Sequence, residues 1–148
     1  MDLNGSNTVS LDEKGRITIP TEYRKQILDY CSGKMVLTNH PQKDPCLVLY
    51  VKPRFDEIVQ QINQLPANTR QDREFKRNFT GSRVLVTMNS TGRILVPQSL
   101  RQQHKLGKNL LLLGSTNFFE IWDLQTREDF YKENEDIEGH SFSNINFS

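Results

Sequence analysis

The sequence predicts a mixed α+β, β-rich fold built from two pseudo-symmetric halves, with a helical insert between them and a short helix near the C-terminus. Three observations carry this prediction. The segment Val9–Arg24 aligns without a gap onto Val86–Arg101, with Val, Gly, Arg, Ile, Pro and Arg at matching places; self-similarity at a fixed offset marks a repeated structural unit. In each copy a turn sequence separates runs of alternating apolar residues, the pattern of two strands joined by a tight connection. Between the copies the period changes: Phe55, Ile58, Val59, Ile62 and Leu65 follow a helical stripe.

The turns come first along each copy. Asp12-Glu13-Lys14-Gly15 and Asn89-Ser90-Thr91-Gly92 both open on Asx and close on Gly. An Asx side chain bonds the backbone ahead of it, and Gly accepts positive φ at the end of the turn. Alternation then puts Ile17 and Ile19 on one face, with Arg16 and Thr18 on the other; Arg93-Ile94-Leu95-Val96 repeats this start. Pro20 and Pro97 stop the strands, since Pro cannot donate to a ladder. Thr21 is the expected N-cap of a helix through Tyr23, Ile27 and Leu28, closed by Gly33; Ser99 to Lys105 with Gly107 is its shorter counterpart. Strand pairs follow in each copy, ending in Cys46-Leu-Val-Leu-Tyr50 and Phe118-Phe-Glu-Ile-Trp122.

The first repeat is assigned to residues 7–53, the insert to 54–81 and the second repeat to 82–125. In the insert Pro53 suits the first turn of a helix, Leu65-Pro66-Ala67-Asn68 breaks it, and Thr69 caps a second helix with Asp72 at N3. A helix over 126–132 precedes a polar, Asn/Ser-rich segment, 133–148, read as disordered.

The 148 residues carry a formal net charge of +1, but the charges are segregated. Ala67–Lys108 holds nine basic residues against two acids, and Glu120–Glu138 eight acids against two bases. A positive face of this kind favours polyanions. No apolar run is long enough for a membrane span, and the start shows no export signal. Cys31 and Cys46 are read as two reduced thiols. His40, His104 and His140 stand far apart, without CxxC or HxxxH spacing, so no metal site, no cofactor and no catalytic residue is expected; His104 is read as a partly buried packing residue. No phosphate-binding loop or nucleophile elbow occurs, and the chain is not expected to be an enzyme.

The remaining chemistry is a doubled Gly-Arg at the head of a strand, with a second Arg eight residues later: Arg16 with Arg24, and Arg93 with Arg101. Guanidinium groups on a rigid hairpin suit phosphate clamping and bidentate contact with guanine. Fold constraints explain the repeated Gly, Ile and Pro but do not require Arg twice in both copies. The alternative is that these arginines pair with Asp12, Glu22 or the acidic tail. Lys14 and Thr91, at the turn tips, complete the expected DNA-contacting set of Lys14, Arg16, Arg24, Thr91, Arg93 and Arg101. Asp12, Gly15, Asn89 and Gly92 are the expected turn-structuring residues.

Leu11-Asp-Glu-Lys-Gly-Arg-Ile-Thr-Ile-Pro, Met88-Asn-Ser-Thr-Gly-Arg-Ile-Leu-Val-Pro and the late Glu120-Ile-Trp-Asp closely resemble the bacterial MraZ family, over about Asn7 to Phe130. The resemblance implies two AbrB-like swapped-hairpin halves forming a small β-barrel, and a ring-shaped homo-oligomer. It further implies a transcriptional regulator of the division and cell-wall gene cluster, usually a repressor, that binds repeated double-stranded DNA sites ahead of its own gene, in the cytoplasm and nucleoid. The family's Asp-x-x-x-Arg falls on Asp12 and Arg16. In the second copy Arg93 matches, but Asn89 replaces the acid, which predicts a weaker DNA contact there. The Leu-Arg helix of related proteins places its Arg on Arg24 and Arg101. Two rival readings are a ring-forming interaction scaffold, motivated by Phe118, Phe119 and Trp122, and an antitoxin whose tail is gripped by a co-encoded toxin.

Overall fold

The computed structural model describes residues 1–134 and 140–148. Its elements run β1 (Gly5–Ser10), β2 (Arg16–Thr18), α1 (Thr21–Cys31), β3 (Lys34–Asn39), β4 (Leu47–Val51), α2 (Lys52–Asn63), α3 (Arg70–Asn78), β5 (Val84–Thr87), β6 (Arg93–Leu95), α4 (Gln98–Gln103), β7 (Asn109–Ser115), β8 (Phe118–Asp123) and α5 (Leu124–Glu133). The fold is mixed α+β, as expected, and each copy contributes strand, turn, strand, helix, strand, strand.

The two copies exchange strands. β1 of the first pairs with β7 of the second, Val9 opposite Leu110. β5 of the second pairs with β3 of the first, Val86 opposite Met35. The sheet order is therefore β1-β7-β8-β4-β3-β5, all antiparallel, with β4 and β8 joining the halves at its middle. A second, two-stranded ribbon pairs β2 with β6, Arg16 opposite Leu95, Ile17 opposite Ile94 and Thr18 opposite Arg93. Ile17 and Ile94 are equivalent residues of the repeat, so the ribbon's pseudo-twofold axis runs between them. Neither copy can satisfy its strand edges alone; each hairpin completes the other half.

Sheet and ribbon share one apolar cluster that includes Ile17, Ile19, Ile94 and Val96 from the hairpins and Leu37, Leu49, Leu112 and Phe119 from the sheet. β3 and β4 are buried on both faces. Their outer face packs Val36, Val48 and Tyr50 against Phe55 and Phe79 of the insert. The insert helices thus cover a sheet face, which explains the apolar stripe of α2. Trp122, on the outer face of β8, packs against Phe130 of α5 with ring centroids 5.1 Å apart.

Local signals hold with two shifts. Asp72 and Thr69 form the expected reciprocal capping box. Thr21, however, is not the cap of α1: Pro20 occupies that place and no side chain caps the helix. The fixed φ of Pro20, with ψ 145°, leads straight into a helical Thr21. The close of α1 falls on Ser32, at φ 55°, just before Gly33 at φ 78°. Phe119 and Trp122 are buried and Phe118 is half-buried, so the apolar surface that motivated the scaffold reading belongs to the core. Within the segment read as disordered, Glu133 ends α5 and residues 140–148 are exposed, with turns but no helix or strand; residues 135–139 lie outside the described residues.

Candidate nucleic-acid interface

The ribbon presents two unlike faces. Ile17 and Ile94 are each 1% exposed and point into the core. Arg16, Thr18, Arg93 and Leu95 take the opposite face, because side chains alternate along a strand. Arg16 and Arg93 sit diagonally across the ribbon, so their backbones start about 7–8 Å apart.

The two turns at the ribbon ends use the same scheme with different chemistry. Asp12 Oδ1 accepts the backbone N–H groups of Lys14 (2.9 Å) and Arg16 (2.8 Å). Asn89 Oδ1 accepts those of Thr91 (3.1 Å) and Arg93 (2.9 Å), and also the Thr91 hydroxyl at 2.8 Å. Asn therefore shapes the turn as well as Asp does. The difference lies in the arginines. Asp12 Oδ2 holds Arg16 Nε at 2.9 Å in an ion pair. The Arg16 backbone N–H, then the guanidinium beside it, keeps the Asp12 carboxyl below the usual range, although partial desolvation opposes this. Arg93 is exposed and, among the described residues, pairs with no carboxylate. Lys14 and Thr91 are exposed at the tips.

Gly15 and Gly92 are buried, with φ 83° and 81°. Each loop is docked on the other repeat. Ile19 N–H donates to the Gly92 carbonyl (2.7 Å) and Val96 N–H to the Gly15 carbonyl (2.8 Å). The second arginines lie beneath these loops. Arg24 Nε donates to the Ile19 carbonyl (2.8 Å), and Arg101 Nε to the Val96 carbonyl (2.9 Å). A Cβ on Gly15 would meet Arg101 Cζ at 2.7 Å, and one on Gly92 would press on the Arg24 side chain. Both arginines are half-buried, with one guanidinium edge committed to the backbone.

All six expected contact residues therefore gather around the ribbon: Lys14, Thr91, Arg16 and Arg93 on its outside, Arg24 and Arg101 as supports. Thr18, which alternation already places beside Arg16, and Leu95, 53% exposed, share the outer face but lie outside the expected contact set. His104 is half-buried at the end of α4, with Nε2 2.8 Å from Asn39 Oδ1, and burial lowers its pKa. The residues grouped by donor chemistry for a metal ion are elsewhere, at His40, Cys46 and Glu120.

A family model described as "MraZ protein, putative antitoxin-like" matches twice, over residues 3–78 and 79–144. A protein of Alcanivorax borkumensis named transcriptional regulator MraZ is 39% identical over 125 residues, covering 84% of this chain and 85% of its own. Its namesake in Pseudoalteromonas atlantica is 40% identical over 119 residues, covering 80% and 78%. The one in an Enterobacter species is 39% identical over 137 residues, covering 90% and 88%. The chain belongs to the MraZ family.

Proposed function

We propose that this protein is a sequence-specific DNA-binding transcriptional regulator, acting as a repressor of the division and cell-wall gene cluster, its own promoter included. The observation that supports this most is the outward face of the β2/β6 ribbon. A two-stranded ribbon fits the major groove, about 12 Å wide, and this one carries Arg16 and Arg93 on its exposed side with a turn at each end. Arginine at such a position contacts phosphate or reads guanine O6 and N7. The name borne by the relatives, transcriptional regulator, agrees with it.

Lys14, Thr91, Arg16 and Arg93 touch DNA; Arg24 and Arg101 hold the loops in place from below. Of the two hairpins, the Asn89 loop is the stronger phosphate binder, the reverse of the weaker contact expected from its missing acid. Among the described residues Arg93 pairs with no carboxylate, whereas Arg16 must divide its guanidinium between Asp12 and any phosphate. One such ribbon offers few contacts, so a ring-like homo-oligomer on repeated promoter sites, associated with the nucleoid, supplies affinity through effective concentration.

The test is binding of a fragment from upstream of the protein's own gene against an unrelated duplex of equal length, over a salt series. Preference for the promoter fragment, with affinity falling steeply as salt rises, is the expected result. Equal binding to both duplexes contradicts it. Capture of a co-encoded toxin by a chain that still binds DNA would instead favour the antitoxin reading.

A further inference from the structure

On the outer side of the sheet, away from the ribbon, three elements converge on one cluster. His40 follows β3, Cys46 precedes β4, and Glu120 lies in the middle of β8. Their donor atoms all fall within 4.8 Å of one another. His40 Nε2 stands 3.2 Å from Glu120 Oε2 and 3.7 Å from Asp44 Oδ2. The cluster thus holds one nitrogen, one sulfur and two carboxylate donors, gathered from both halves of the repeat.

We infer that His40, Cys46 and Glu120, with Asp44 as the fourth donor, form a binding site for a borderline-soft divalent cation of the Zn²⁺ type. Thiolate, imidazole and carboxylate in a four-donor set select such an ion over Mg²⁺ or Ca²⁺, which take all-oxygen shells. Tetrahedral Zn²⁺ places its donors about 3.3–3.8 Å apart. The His40–Asp44 separation is already in that range, the His40–Glu120 separation falls just short of it, and Cys46 needs only a small side-chain adjustment.

The surroundings fit a built site. Glu120 Oε1 accepts the Trp122 indole N–H at 2.9 Å, which orients the carboxylate and leaves Oε2 facing His40. Outer hydrogen bonds of this kind aim ligands in metal sites. A cleft of about 590 Å³, lined by His40, Asp44, Asn39, Glu74 and His104 among others, opens onto the imidazole and gives an ion its route in. Cys46 is fully buried. Burial first, then Glu120 and Asp44, push its thiol well above the ordinary range, with Arg127 the opposing nearby cation. A bound dication reverses that preference and deprotonates the thiol.

Loading has a definite proton balance. The Cys46 proton leaves for solvent. In the loaded site the ion takes the lone pair of His40 Nε2, so the ring proton sits on Nδ1. Nδ1 now accepts the Gln42 N–H at 3.1 Å, so the turn after β3 must swing that amide away. The ion would tie β4 to β8, the pairing that joins the two halves.

The experiment uses the full-length, tag-free chain stripped with a chelator, with Co²⁺ and Zn²⁺ alone as probes. Stoichiometric Co²⁺ should give a thiolate charge-transfer band with tetrahedral visible bands. Zn²⁺ should displace it and raise the thermal midpoint. Cys46→Ser should lose the band and Cys31→Ser should keep it. Glu120→Gln and His40→Ala should weaken Zn²⁺ binding about tenfold or more. Circular dichroism checks the fold, and His40→Ala, at the rim of the cleft, carries the test if Cys46→Ser does not fold. A folded wild-type chain without a charge-transfer band, or a band that follows Cys31, overturns the site. DNA binding does not depend on either outcome.

Discussion

The Gly15 backbone packs close against the Arg101 guanidinium, and the Val96 carbonyl that binds Arg101 Nε belongs to the residue whose N–H holds the Gly15 carbonyl. Two groups from the second repeat, the Val96 N–H and the Arg101 guanidinium, thus grip the first repeat's loop. Arg24 and the Ile19 N–H do the same for the Gly92 loop.

Gly15→Ala should therefore destabilise the chain by about 1–2 kcal/mol for its left-handed backbone, plus a steric part from Arg101. Arg101→Ala removes the steric part together with the Arg101–Val96 hydrogen bond. Denaturant unfolding of both single variants and the double should show coupling of about 0.5–3 kcal/mol. Strict additivity would mean that the contact has no energetic weight.

Asp12→Asn should leave the fold intact, since Asn89 already shapes the matching turn with the same backbone bonds. It should free Arg16 and remove a negative charge beside it. Fluorescence anisotropy on an unrelated duplex at low salt should show tighter binding than wild type, and the difference should shrink as salt rises. The depressed Asp12 pKa gives a second readout. A carboxylate of this kind contributes stability above its unfolded pKa and loses it as pH falls through the folded one. The variant's thermal midpoint should then drop less than wild type between pH 5 and pH 2.

His104 acts in the same direction at higher pH. Burial lowers its pKa below 6.5, so the unfolded chain binds a proton that the folded chain refuses. Its Nε2–H donates to Asn39, whose amide reaches Asn78, linking β3, α3 and α4. Stability should be full above about pH 7 and decline as pH falls through 6.5. His104→Gln should flatten that part of the curve. An unchanged slope would assign the proton elsewhere, with His40, Asp44, Glu74, Lys43 and Lys105 lining the same cleft.

Ile17 and Ile94 face each other on the pseudo-twofold axis, both buried. Ile94→Ala should cost about 2–5 kcal/mol, and amide exchange should rise in both turns, because the ribbon carries them both. Faster exchange confined to 89–92 would show the loops to be independent.

Much of this was legible before any coordinates. The turns were, because Asx and Gly have specific backbone work to do there, and the insert helices were, because their apolar stripe must be covered. The exchange of β1 and β5 was not readable from pattern alone, since alternation says which face is buried but not which strand is the neighbour. Arg24 and Arg101 looked free by spacing, yet the carbonyls of Ile19 and Val96 draw them under the loops. The His40–Cys46–Glu120 group escaped because spacing rules compare near neighbours in the chain, whereas Glu120 arrives through the pairing of β8 with β4.

The most direct measurement titrates Arg16→Ala and Arg93→Ala, each with a native circular dichroism spectrum, against the promoter fragment. Each should lose about 1–3 kcal/mol of binding, with the larger loss at Arg93 and a shallower salt dependence in both. Wild-type affinity in both folded variants would contradict a DNA-facing ribbon.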